Sequence, residues 1–500
     1  MFKKHSTRFV CVAMLMLSVL AWLACNKANT NSVSAASDGG KLPITTKSEE
    51  AKKEFLQGRD LSERLLAQDS LQHFDKALSL DPEFASAELA RANNSPTAKE
   101  FFEHLRKAAG LASKTSDGEK LLILANEAAA NGVNEIQKNY LDQLVTAYPN
   151  DERAHLQVGN YYFGQQQYEQ AIAHYKQATQ LAPGFSPAYN ILGYAYRQRG
   201  SYADAEQAFK KYVELIPNDP NPYDSYAELL LKMGRFDESI AQYRRALSID
   251  PHFVPSHFGI SADLMYQGKP QEATAELQTM ADQARNDGEM RTAHFGMAVV
   301  AADTGKFDSA VEHIEKEYAI AEKKNDVAAM AADLQAIGNI LEAAGRYDAA
   351  AQKFDKSLQL IEGSSLSQDI KDNATRTHEF NLAALAIGKK DYSAAKSHTD
   401  EFRQKAETAK NSAQLKQAHE LAGRLALAQK QYDTAVSELE QSNQQDPRNL
   451  YRLGQAYQAK SDSAKAGEYF KKAAEFNSLP ALNYAFIRQK AQKVAGGQKA

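Results

Sequence analysis

Four prolines, Pro149, Pro183, Pro217 and Pro251, stand 34 residues apart, and no other feature of this sequence constrains its fold so tightly. Gly200, Gly234 and Gly268 keep the same interval, as do Gly159 and Gly193. Tyr168, Tyr202 and Phe236 recur in step with them, each followed by a small residue at Ala171, Ala205 and Ser239. A fixed period of this size means one supersecondary unit copied along the chain. It overrides the domain count that a length of 500 residues would suggest.

One unit shows the physics. From Glu152 to Phe163, His155, Val158, Gly159 and Tyr162 fall at helical spacing and form one apolar stripe. Gln165–Gln167 interrupt the pattern, and a second stripe runs through Ala171, Ile172, Tyr175 and Ala178. Pro183 then stops the helix. Gly159 and Ala171 allow close approach of the two helices, with Tyr162 and Tyr175 filling the space beside them. Gly200 and Gly234 sit where first helices end, the place for a left-handed cap. One helix pair buries too little to stand alone, so the copies must stack into an all-α solenoid.

The units resemble the tetratricopeptide repeat, whose signature combines a Leu-Gly and Tyr first helix with an Ala, aromatic, Ala second helix and a closing Pro. The unit at 152–185 supplies Val158-Gly159, Tyr162, Ala171, Tyr175, Ala178 and Pro183; the next supplies Leu192-Gly193, Tyr196, Ala205, Phe209, Tyr212 and Pro217. The unit at 220–253 supplies Tyr226-Ala227, Leu230, Ser239, Tyr243, Ala246 and Pro251. His155, Tyr189 and Tyr223 replace the family's first Trp. The resemblance implies a right-handed superhelix of about twelve helix-turn-helix units.

Degenerate copies flank these three. Residues 51–84 and 118–151 keep Gly58, Phe74, Leu121 and Leu144 in phase, and Ser86–Ala92 with Ala98–Ala112 form a copy between them. The regular array thus covers 49–253, and longer, looser units cover 254–480. Among the latter, Ile337-Gly338, Tyr347, Ala350 and Phe354 keep the pattern well, and Gly363–Asn373 reads as a loop. A last segment, 481–500, carries Arg488, Lys490, Lys493 and Lys499 without an acidic residue and reads as a solvated capping helix or basic tail.

The first 25 residues read as an export signal: Lys3, Lys4 and Arg8 precede a 16-residue apolar run, too short for a spanning helix. The run ends in Leu23-Ala24-Cys25, which resembles the bacterial lipoprotein signal, although Trp22 stands where that pattern wants a branched aliphatic residue. The resemblance implies lipidation of Cys25, with several acyl chains giving a stable anchor. A conventional signal peptide cut near Ala35 and an uncleaved anchor remain alternatives. Asn26 after the cysteine leans, by analogy with enteric lipoproteins, towards the outer membrane facing the periplasm. Residues 26–48, rich in Asn, Ser, Ala and Thr, read as a flexible tether.

Nothing here carries chemistry. No Gly-rich phosphate loop, HExxH, GxSxG or metal-spaced Cys/His cluster occurs, and the only cysteines are Cys11 and Cys25. The net charge of −4 argues against nucleic acid. His155, His257, His294 and His419 share the fourth position of their units, so stacking keeps them apart and they read as packing residues. No catalytic residue, metal, cofactor or small-molecule substrate is expected. The resemblance instead implies a concave groove lined by the first helices. The positions that face it carry Asn160, Asn190, Tyr194, Arg197, Glu228 and Lys232 here, a mixture suited to a bound peptide or helix. Leu156 stands where chaperone-binding relatives carry a clamp lysine, so a Glu-Glu-Val-Asp-like tail is not expected as ligand. The reading is a lipid-anchored envelope scaffold that binds protein partners. Its alternatives are an accessory lipoprotein of outer-membrane assembly, secretion or polysaccharide export, and an enzyme with an unrecognised site.

Overall fold

The computed structural model describes residues 40–497, and every regular element among them is a helix. Twelve antiparallel pairs follow one another, the number expected from the sequence. The first three are α1 (Glu49–Glu63) with α2 (Ala67–Leu80), α3 (Ala85–Asn93) with α4 (Ala98–Leu111), and α5 (Asp117–Ala130) with α6 (Asn134–Ala147). The metrical centre holds α7 (Glu152–Gly164) with α8 (Tyr168–Leu181), α9 (Ser186–Arg199) with α10 (Tyr202–Leu215), α11 (Asn221–Lys232) with α12 (Phe236–Ile249), and α13 (Val254–Tyr266) with α14 (Pro270–Asp282). Then come α15 (Asp287–Asp303) with α16 (Phe307–Lys323), α17 (Val327–Ala343) with α18 (Tyr347–Glu362), and α19 (Gln368–Gly388) with α20 (Tyr392–Thr408). The last two pairs are α21 (Ser412–Ala428) with α22 (Tyr432–Gln441) and α23 (Pro447–Ala459) with α24 (Ser463–Ala474). Short helices α25 (Leu482–Ala485) and α26 (Arg488–Ala495) close the chain.

The looser metre after Pro251 comes from longer helices. α15 has 17 residues and α19 has 21, against 13 in α7. The expected loop over 363–373 shrinks accordingly, because α19 already begins at Gln368 with Ser367 before it.

Within a pair, one contact recurs. A glycine on the first helix faces an aromatic ring sixteen residues on: Gly58 and Phe74, Gly159 and Tyr175, Gly193 and Phe209, Gly338 and Phe354, Gly454 and Phe470. A Cβ at Gly159 would lie 2.4 Å from Tyr175 Cε1, so only the bare backbone fits. Each ring is buried in turn, and this knob fixes the separation of the two helices.

The turn between paired helices usually needs one left-handed residue. Gly200 and Gly234 supply it as expected, with φ of +86° and +75°. Where the sequence offers no glycine the backbone adopts the same conformation anyway, at Lys390 (φ +63°), Lys430 (φ +61°) and Ser461 (φ +64°). A left-handed non-glycine residue costs roughly 1–2 kcal/mol. Lys430→Gly is therefore expected to stabilise the protein by about 0.5–1 kcal/mol after the added flexibility of the unfolded chain is offset. An unchanged or lowered urea midpoint would show that the turn carries no such strain.

Residues 41–47, assigned from sequence to the free tether, are instead strapped across the first units. Leu42 N donates to Asp151 at 2.8 Å, Thr45 N to Glu119 at 2.9 Å and Lys47 N to Asp81 at 3.0 Å. Leu42 and Ile44 pack on the cores below. Asp151 caps the start of α7 and Glu119 lies in the first turn of α5, where N–H dipoles already favour anions, whereas Asp81 ends α2 and also accepts from Glu83 N at 3.1 Å. Residues 26–39 of the expected tether, the export signal and Cys25 lie outside the described residues, while Ser48 caps α1. Among those described, no helix is long and apolar enough to cross a membrane.

The superhelix also touches itself. Arg64 beyond α1 pairs with Asp219 before α11, Nε to Oδ2 at 2.7 Å. Asn286 before α15 bonds Gln68 of α2 at 2.8 Å, and Phe102 of α4 packs against the cluster of Ala331, Ile361 and Ile370. Further on, Gln166 after α7 bonds Asn443 at 3.0 Å, and Ser412 of α21 bonds Gln165 at 2.9 Å. Units far apart in sequence are thus neighbours across the coil.

Candidate functional site

A solenoid's first helices and second helices meet different surroundings, and here the difference is sharp. α14 buries only Ala273, Leu277, Met280 and Ala281, one stripe of a half-exposed helix. α13 buries every residue from Ser256 to Met265, and α15 every residue from Phe295 to Asp303. A helix covered on all sides has lost any open face. The concave wall built by α9, α11, α13 and α15 is therefore occupied, and the expected open groove does not exist there.

The six sequence-predicted groove residues show how it closes. Asn160 is half-buried and accepts from the Tyr175 hydroxyl of its own unit at 2.9 Å. Asn190 and Tyr194 are buried, with the Tyr194 hydroxyl donating to Glu228 Oε1 at 2.9 Å. Arg197 donates from Nη1 to the other oxygen of Glu228 at 2.9 Å, and its Cζ lies 4.5 Å from the Tyr194 ring centroid. Both members of that ion pair are buried, so they hold α9 to α11 instead of facing solvent. Burial, with Glu228 beside it, pushes the Asp224 carboxyl well up, and Ser256 bonds it at 2.7 Å. The interior of the wall is a polar seam joining successive first helices.

Lys232 alone of the six meets a peptide segment, and the segment is the chain's own. Its ammonium donates to the carbonyl of Phe476 and stands 4.0 Å from that residue's ring centroid. Tyr266 donates its hydroxyl to the carbonyl of Ser478. Arg488 grips Asp303 through two nitrogens, Nε to Oδ1 at 2.6 Å. Lys232 and Tyr266 lie 34 residues apart, at the same place in successive units, and Asp303 ends the next first helix. Leu479, Leu482 and Ala485 are buried in the same cluster as Phe258, Met265 and Val299. The segment expected to be a solvated basic cap is thus docked across three units, with Arg488 only 5 % exposed. α26 does cap α24, through Ile487 and Ala491 against Ala473 and Ala474.

Sequence reasoning missed Tyr266 and Asp303. Their repeat phase matched that of Lys232, and the apolar run Phe295–Ala302 reads as a helix with no free face. Those two signals together could have found the occupied wall.

Among the described residues, the four fourth-position histidines do not come together. Each fourth-position histidine faces a residue nineteen places on, across its own pair: His155 with His174 at 3.1 Å between Nδ1 atoms, His257 with Glu276 at 2.5 Å, and His419 with Glu438 at 2.7 Å. His294 stands over His313 with ring centroids 5.8 Å apart. Burial, then the neighbouring His313, lowers His294 to about 4. Its depressed folded value means the unfolded chain takes up the proton first, so stability present above about pH 6.5 falls towards pH 4. His294→Gln is expected to flatten the loss between pH 6.5 and 4.5 by about 1 kcal/mol, discounted for half exposure. Equal pH slopes for both proteins in urea titrations would refute this.

Among the described residues, one triad, Glu379, His398 and Glu401, has ligand atoms near enough to share a cation. The Lys405 ammonium already sits there, 2.7 Å from Glu401 and 3.5 Å from Glu379, and its hydrogen bond holds the Glu401 carboxyl below its usual range.

The family models that match this chain agree with this architecture. Models described as tetratricopeptide repeat match residues 124–184, 156–220, 221–253, 260–326, 334–365 and 447–478. Superkiller complex protein 3 of Mus musculus is 31% identical over 116 residues, 23% of this chain and 7% of that protein. TPR repeat-containing protein YpiA of Bacillus subtilis is 24% identical over 204 residues, 40% of this chain and 47% of its own length. The chain therefore spans less than half of either relative. The crystal structure of MamA protein aligns with 33% of this chain and 91% of its own, at 20% identity and a TM-score of 0.28.

Proposed function

From a chain built of tetratricopeptide repeats, units that commonly mediate contacts between proteins and are generally not catalytic, we propose a scaffold that binds protein partners at the bacterial cell envelope while anchored by lipid on Cys25. The observation that carries the reading is the unbroken stack of twelve helix pairs, a rigid curved support with side chains presented at repeating intervals. The anchor rests on the basic start, the apolar run and Leu23-Ala24-Cys25. The strap over 41–47 brings the chain's entry point beside α5 and α7. Residues 26–39 between Cys25 and Gly40, fourteen in all, span at most about 50 Å when fully extended. Anchoring would hold the array within that distance of a membrane and raise its effective concentration towards other envelope components.

The test compares wild type with Cys25→Ala in the native host. Wild type should incorporate labelled fatty acid and sediment with membranes, and crosslinking should recover specific envelope proteins. Cys25→Ala should lose the label, shift to the soluble fraction and recover at least about tenfold less partner, as expected when effective concentration is lost. A protein that is soluble in both forms and recovers nothing above background overturns the reading.

A further inference from the structure

The docked segment displays the chemistry of a ligand. Lys232 and Tyr266 bind its main-chain carbonyls, and the Lys232 ammonium also stands 4.0 Å from the centroid of the Phe476 ring, a contact that favours an aromatic residue there. Further selectivity comes from apolar Leu479 and Leu482, buried against α13 and α15, and from Arg488, bound by the Asp303 carboxylate. The segment runs irregularly from α24 to α25 before its short helices, and Asn477 takes a left-handed φ of +36°. Docking also has an unfavourable side. It buries the Lys232 ammonium with a carbonyl as its hydrogen-bond acceptor, and burial lowers that amine to about 7. Release would return the ammonium to water. The interaction thus combines a specific anchor with an opposing desolvation cost, as suits a contact that opens.

We infer that the wall of α11, α13 and α15 is a peptide-docking surface whose resting occupant is the chain's own 476–488, and that a partner engages it by displacing this segment. The partner's peptide has an aromatic residue, leucines three and six places later, and an arginine twelve places later, copying Phe476, Leu479, Leu482 and Arg488. The inference deepens the scaffold reading by making this concave face the contact surface, and it does not depend on the lipid anchor. An internal ligand lowers apparent affinity by the fraction of time it is docked, which keeps the scaffold closed until a matching partner is present.

The test uses the full chain and a fluorescent peptide carrying residues 474–491. Arg488→Ala in the chain weakens the internal occupant and leaves the wall intact. Anisotropy should show this variant binding the peptide at least about tenfold more tightly than wild type does. Adding Asp303→Ala should abolish that gain, because the peptide's arginine then loses its acceptor. Native-state amide exchange on unmodified wild type supplies an independent reading that survives misfolding of any variant. Residues 476–488 should exchange at least about a hundredfold faster than α13, through an opening smaller than global unfolding. Exchange as slow as that of α13, or equal peptide binding by folded Arg488→Ala and wild type, would make the segment a permanent cap and overturn the inference. Because the probe is the chain's own sequence, such a failure leaves the envelope reading to its separate test.

Discussion

Gly338→Ala is expected to destabilise the array by about 2 kcal/mol or more, the upper part of the range for forcing a methyl group into a packed core. A Cβ there would stand 2.2 Å from Phe354 Cε1, 2.6 Å from Cδ1 and 2.7 Å from Cζ, with Phe354 fully buried. Three ring atoms would have to move, and the ring is wedged in the cluster that includes Ile337, Leu341 and Ala350. Helix propensity pulls the other way, since alanine in a helix interior is favoured over glycine by about 1 kcal/mol. The clash should win, because the neighbour is a ring in a closed core and not the free end of a flexible side chain. Removing ring atoms should recover part of the loss, so Phe354→Leu in the Gly338→Ala background should cost less than the two single changes added together. Chemical denaturation of the four proteins decides the matter. A Gly338→Ala protein as stable as wild type would mean that the helices can spread and that the glycine–ring contact does not set their spacing.

That contact explains why so much of the fold was legible. Most units repeat one local solution, a small residue, a bulky side chain sixteen places later (a ring in the regular copies, Leu439 after Gly423) and a left-handed turn between them, so the noisy copies reinforce one reading. Even Lys430, which disguises its turn, falls in phase with Gly200 and Gly234 and bends the backbone the same way. The coil's self-contacts have no such repetition. Arg64 with Asp219, Asn286 with Gln68 and Arg488 with Asp303 join residues 155 to 218 positions apart, each once. They are formed by polar side chains that look like ordinary solvated surface in a one-dimensional pattern. The strap is hidden for the same reason: Thr45, Thr46 and Lys47 resemble linker composition until Glu119 and Asp81 are placed beneath them. Repeat phase tells which way a side chain points. It does not tell whether water or another turn of the coil is waiting there.

Arg197 makes that difference measurable. As an open-groove contact it could be replaced at a cost within about 0.5 kcal/mol of stability, and only partner binding would suffer. As one half of a buried pair, its removal leaves the Glu228 carboxyl group buried without its guanidinium partner and adjacent to Asp224, a penalty of about 3–5 kcal/mol. The Tyr194 hydroxyl still donates to Glu228, but a neutral donor does not replace a guanidinium. Arg197→Ala is therefore expected to lower the unfolding midpoint sharply. Adding Glu228→Gln should restore a large share of the stability by removing the stranded carboxyl group. If instead the single variant unfolds like wild type, the seam between α9 and α11 is hydrated and open, and Arg197 returns to the list of residues that can meet a partner. Either result also bears on the docked segment, because Arg197 is the cation that helps hold the Lys232 amine low. Without it Lys232 should keep its proton to higher pH, and the grip on the Phe476 carbonyl should strengthen even as the wall beneath it loosens.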